Sequence, residues 1–157
     1  MREFIELNED FGEFKSFQVL YEEIERIEIP VIVSNSSAGY SGSQPSPRPL
    51  QLNNHLNNAY IFLGFKTLDK TFNIVLEENW KDWTGARNIY LNLSSDFGLS
   101  KICFFKQILP NDLNTFMYIL IADCTHINHK NKDFLLDFVD RFRLQRLCGY
   151  LTVYINI

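Results

Sequence analysis

The sequence predicts an α+β domain built on a largely antiparallel sheet, and three observations carry that reading. Apolar residues recur at helical spacing near the start of the chain and again near its end. Between these stretches lies a series of short apolar segments that read as strands. The turns joining them are short, which makes antiparallel neighbours the simplest topology. With 157 residues, 46% hydrophobic and 15% aromatic, the chain can bury one substantial core and is too short for two ordinary domains. A single globular domain over 1–157 is expected.

Phe14, Phe17, Tyr21 and Ile24 follow one another at three and four residues, which predicts a helix from about residue 11 to 25 with Lys15, Glu22, Glu23 and Arg26 on its polar side. The period then changes to two. Ile27, Ile29, Val31 and Val33 alternate with Glu28 and Pro30, a strand pattern in which Pro30 favours an edge because it has no amide proton to donate. Residues 34–58, "SNSSAGYSGSQPSPRPLQLNNHLNN", are rich in Ser, Gly, Pro and Asn and read as a long polar loop. Its prolines favour an extended course. The loop holds no phosphate-cradling glycine motif.

From 59 to 123, "AYIFLGF", "FNIVLE", "RNIYLNL", "KICFFKQI" and "TFMYILIA" each read as a strand. The last is apolar on both faces, which places it centrally under cover on both sides. A second helix is expected over 131–147, with Asn131 as its cap, Phe134, Leu135, Phe138, Val139 and Phe142 on one side, and Asp133, Asp137 and Asp140 on the other. The closing segment "GYLTVYINI" alternates as a strand tied into the sheet. The expected architecture is an N-terminal helix, a meander of about five to seven strands, a second helix and a C-terminal strand.

Composition narrows the function classes. No run approaches the roughly 20 apolar residues of a spanning helix, and the acidic first residues do not form a secretory signal, so a cytoplasmic protein is expected. Three cysteines without close spacing point to reduced thiols rather than a disulfide framework. A net charge of -4 argues against direct binding to nucleic acid. The acids concentrate at residues 1–28, where Glu22 and Glu23 belong to the group, and an acidic end suits a basic partner.

The densest chemistry lies in "IADCTHINHKNKD". Cys124 and His126, two apart on a strand, share a face, and His129 could fold back to join them, either as three N/S ligands of a catalytic zinc with Asp123 or Asp133 as base, or as a thiol with a nearby histidine. The competing reading is a buried cysteine ending a strand, then a polar turn into a helix cap. "EENWKDWTGARN" offers a second candidate. Trp80, Trp83 and Arg87 are of the residue types that dominate binding hot spots, with Asp82 between the indoles, unless the indoles fold over the core as a lid.

With no catalytic signature or cofactor motif, the expectation is a protein-binding inhibitor, in its most concrete form a bacterial immunity protein or antitoxin that covers the active site of a basic toxin such as a nuclease. Its expected contacts are Trp80, Asp82, Trp83, Arg87, Asp133, Asp137, Asp140, Glu22, Glu23 and Tyr40, with no cofactor or metal. The alternatives are a small metal- or thiol-dependent enzyme using Cys124, His126 and His129, and a structural or adaptor subunit.

Overall fold

The computed structural model describes residues 19–30, 57–67, 71–108, 115–146 and 150–156. They form an α+β fold of β1 (Tyr21–Glu28), β2 (Asn57–Phe65), α1 (Ile74–Glu78), α2 (Trp80–Trp83), α3 (Ala86–Asn92), a 3₁₀ turn (Ser95–Phe97), β3 (Leu99–Gln107), β4 (Tyr118–Ile127), α4 (Lys132–Gln145) and β5 (Tyr150–Ile155). The five strands make one antiparallel sheet in the order β1-β3-β4-β2-β5. β4 is central, as its unbroken apolar run requires, and β5 is tied into the sheet beside β2.

The sheet is not a meander. The chain leaves β2, crosses the sheet through α1, α2 and α3, and returns as β3 with β4 between them; α4 carries it in the same way from β4 to β5 beyond β2. Two split β-α-β units interleave, the connectivity of ferredoxin-like domains, and β1 adds a strand at one edge.

Three segments depart from the sequence reading. Tyr21–Glu28 is strand rather than the end of a helix. Its apolar residues fall at threes because Ile24 is an extra residue in the ladder: Glu23 pairs with Phe105 and Glu25 with Phe104, so the bulge turns both Ile24 and Glu25 towards the core face. "FNIVLE" and "RNIYLNL" are helical. The Asn73 carboxamide accepts the amides of Val75 at 2.9 Å and Leu76 at 3.4 Å, which starts α1. Gly85, at φ 90°, starts α3, where Ala86, Ile89 and Leu93 are the inward positions at i, i+3 and i+7. The predicted helix before residue 19, most of the 34–58 loop including Tyr40 and His55, and Cys148 lie outside the described residues.

All four helices cover one face of the sheet. Ile61, Leu63, Ile102, Phe104, Leu120 and Ala122 point into that core. At its centre the Trp80 indole lies flat on Phe104, with centroids 5.1 Å apart and planes 1° from parallel, and Phe104 stacks on Tyr118 at 5.4 Å. Trp83 meets Phe65, Phe104 and Tyr118 edge-on. Trp80 is fully buried, and its N–H donates to the Glu25 carboxylate at 2.8 Å while Lys81 donates to the other oxygen at 2.6 Å. The Lys81 and Trp80 hydrogen bonds hold the Glu25 carboxyl below its ordinary range.

Tyr118 is also fully buried, and its hydroxyl accepts from the Asn73 amide and donates to Glu77, each at 3.2 Å. Glu77 in turn pairs with Lys106 at 3.2 Å. The adjacent carboxylates Glu77 and Glu78 therefore sit in a helix, and Glu77 serves to satisfy buried polar groups.

Truncating Trp80 to alanine should cost about 3–5 kcal/mol, since it removes the largest buried side chain and leaves a cavity over Phe104. Leu144→Ala, at a side chain 76% exposed, should stay within about 0.5 kcal/mol of the parent. Equilibrium urea unfolding distinguishes the two.

Candidate functional site

The Cys/His cluster does not assemble. Cys124 is fully buried on the core face, and burial pushes its thiol from the ordinary 9.0 up to about 12, with the nearby Asp123 charge adding to the effect. His126 is half-buried at the end of β4, its ring packed over Gly98, a glycine at φ 61° that leaves room for it. His129 is exposed in the following turn. Asp123 lies on the other face of the sheet and pairs with Lys101 at 3.3 Å.

Among the described residues no three His, Cys, Asp or Glu side chains are grouped so as to hold a metal ion. Asn131 does not cap α4 through its side chain; it donates to the His126 carbonyl at 2.7 Å and accepts from the Asn128 amide at 2.8 Å, which closes the turn. The stretch is the junction between a central strand and a helix.

The aromatic candidate resolves the other way from an interface. Trp80 belongs to the core and Trp83 lids it, its indole donating to the Leu76 carbonyl at 2.6 Å. Asp82 and Arg87 do remain exposed, paired at 2.6 Å. Glu22 and Glu23 flank β1 on opposite faces: Glu22 reaches Lys106 at 3.5 Å, and Glu23 pairs with Arg26 at 2.5 Å.

The surface that gathers exposed apolar and acidic groups is formed by α3 and α4. Leu91 is 68% exposed, Tyr90 50%, Phe134 68% and Leu144 76%. α4 also carries Asp133, Asp137 and Asp140, the last two paired at 2.9 Å with Arg141 and Arg143. Arg143 also donates to the Leu151 carbonyl at 3.0 Å, so α4 is tied to β5. At the same end of α4, Arg146 donates to the carbonyls of Asp82 and Trp83 at 2.9 and 3.0 Å, and Phe142 packs against Gly85; these contacts set the spacing of α3 and α4.

Between the two helices runs a groove. One hollow of about 460 Å³ is lined by Asn88, Asn92, Phe138, Arg141, Phe142 and Gln145. It shares Asn92, Phe138 and Arg141 with a second of about 280 Å³ that extends to Asp96, Asn131 and Phe134. Carboxamides, a guanidinium and phenyl rings give hydrogen-bond donors and acceptors beside apolar contact. On the far side of α3 a further hollow of about 460 Å³ lies between Tyr90, Leu91, Ile29 and His126.

Residues 4–156 match the pattern of a family described as a domain of unknown function, DUF7153. The chain belongs to this family. No curated protein and no solved structure matches it. Among the described residues no helix is long and apolar enough to cross a membrane.

Sequence reasoning selected the acidic residues of this surface and missed its apolar ones. Tyr90 and Leu91 were hidden by an alternation in "RNIYLNL" that also fits a helix: with Ala86, Ile89 and Leu93 inward, Tyr90 and Leu91 point out. By spacing Phe134 reads as an inner position of its helix, yet it stands one position before the buried Leu135 and faces solvent.

Between pH 9 and 12 the Cys124 thiol ionises in the unfolded chain and stays protonated in the folded protein. The unfolded state then binds fewer protons, so stability is fully present below pH 9 and is lost as pH rises towards 12. Chemical unfolding across the alkaline range should show that decline, and Cys124→Ala should flatten its first part.

Proposed function

We propose that the domain acts by binding another protein through the α3–α4 surface, and that the partner is basic. The observation that carries this reading is that the two helices leave large apolar side chains exposed, Tyr90 and Leu91 on α3 and Phe134 and Leu144 on α4, and that α4 also carries the carboxylates Asp133, Asp137 and Asp140. Apolar anchors supply affinity once desolvated, and a charged rim steers encounter. Arg141 and Arg143 offset two of the acids, so steering rests on the whole chain's charge of -4 as well as on this face.

In its most concrete form the partner is a toxin, a nuclease for instance, whose positive substrate-binding surface the domain covers as an immunity protein or antitoxin. An acidic cover on such a surface both accelerates association and blocks the site.

Co-purification with a single basic protein that dissociates as ionic strength rises, and whose toxicity is relieved by co-expression of this chain, is the expected result. Leu91→Asp combined with Phe134→Asp should weaken that complex by about 30-fold or more, the equivalent of about 2 kcal/mol, while leaving the urea midpoint nearly unchanged. Asp133→Asn with Asp137→Asn and Asp140→Asn should lower the association rate and its salt dependence more than the dissociation rate. A partner that binds the doubly substituted protein with unchanged affinity would exclude this surface.

A further inference from the structure

The sheet face opposite the helices carries a second aromatic cluster. Phe116 lies over Gly64, where a Cβ would come 2.6 Å from the ring, so only glycine permits the contact. Phe116 meets Phe62 at 6.1 Å and Tyr150 at 5.5 Å, and Phe62 meets Tyr150 at 6.1 Å and Tyr154 at 6.3 Å. Tyr150 is 49% exposed and Tyr154 56%. Phe62, Phe105 and Ile121 carry the apolar surface across β2, β3 and β4. None of the described helices packs on this face.

Its other half is charged, with both signs present: Glu23, Glu28 and Asp123 stand with Arg26 and Lys101 across β1, β3 and β4. We propose that this face is the interface of a homodimer, two sheets packed face to face with the helices outward.

Three observations select a second copy as the occupant. A two-fold axis running across the strands lays the aromatic half on the aromatic half and the charged half on itself, and a patch with both signs is what an isologous contact between identical surfaces requires. Three carboxylates against two cations leave the face nearly neutral on a chain of charge -4, so two copies meet without strong repulsion and a basic partner finds little to attract it.

The third observation is size. Five strands at about 4.8 Å, each contributing about 20 Å of length, give roughly 500 Å² per copy, and a pair removes about 1,000 Å², the size at which specific interfaces begin. The dimer leaves both α3–α4 surfaces exposed, and it stands or falls independently of the function proposed for them.

Sedimentation equilibrium of the full chain at micromolar concentration should give twice the chain mass. Tyr154→Glu, at a position the fold leaves half-exposed on an edge strand, should weaken the dimer at least tenfold with an unchanged circular dichroism spectrum; Tyr150→Glu is a second variant of the same kind. Leu91→Asp, on the helix side, should remain dimeric. A monomeric parent overturns the proposal, whether the face is then covered by residues 1–18 or by nothing. So does a dimer that survives both tyrosine substitutions, or one lost in Leu91→Asp.

Discussion

Trp80 sits in a helix of four residues, far too short to be stable alone. What holds it is the flat stack of its indole on Phe104, and through Phe104 on Tyr118. Those two residues come from β3 and β4, so one stack joins α2 to the middle of the sheet. Two polar attachments extend it outward. The indole N–H is bonded to Glu25 on the edge strand β1, and the Tyr118 hydroxyl bridges Asn73 and Glu77 of the α1 segment. Large aromatic surface and satisfied polar tips together let three short helices behave as one layer.

That layer determines what the rest of the surface can do. α2 and α3 are pinned by inward side chains, and the three short helices leave Ile74, Val75, Tyr90 and Leu91 exposed on their outer side. The Arg146 bonds to the α2–α3 turn fix α4 beside α3 and open the groove between them. The opposite face of the sheet has no helix of its own among the described residues and gathers its aromatic rings around Gly64 instead. One sheet thus separates two surfaces of different character: apolar and acidic on the helix side, aromatic and mixed-charge on the other.

The cysteine-histidine cluster shows how spacing can mislead. On a regular strand Cys124 and His126 share a face, and the ladder with β2 is irregular at this point: Ala59 pairs with Cys124 and Asn57 with Ile127, so three residue steps on β4 match two on β2. Ile127 therefore takes the buried position that His126 would have held, and the imidazole moves to the rim over Gly98. A bulge also disguised β1, whose extra residue at Ile24 produced a helical-looking spacing. Bulges depend on the neighbouring strand, so no window of one segment's sequence reveals them.

Apolar patterning alone specifies the class of the fold, the central place of the "TFMYILIA" strand, the α4 helix with its acidic side and the closing strand. Each is set by apolar pattern within a contiguous segment, which local physics can read. Tertiary structure alone decided that "FNIVLE" and "RNIYLNL" coil into helices, that Trp80 is core and not interface, and that the chain crosses the sheet instead of meandering. The reason is that short apolar segments satisfy strand and helix periodicities equally well. The choice between them falls to what each segment packs against, as with Trp80, whose stacking partners Phe104 and Tyr118 lie 24 and 38 residues further along the chain.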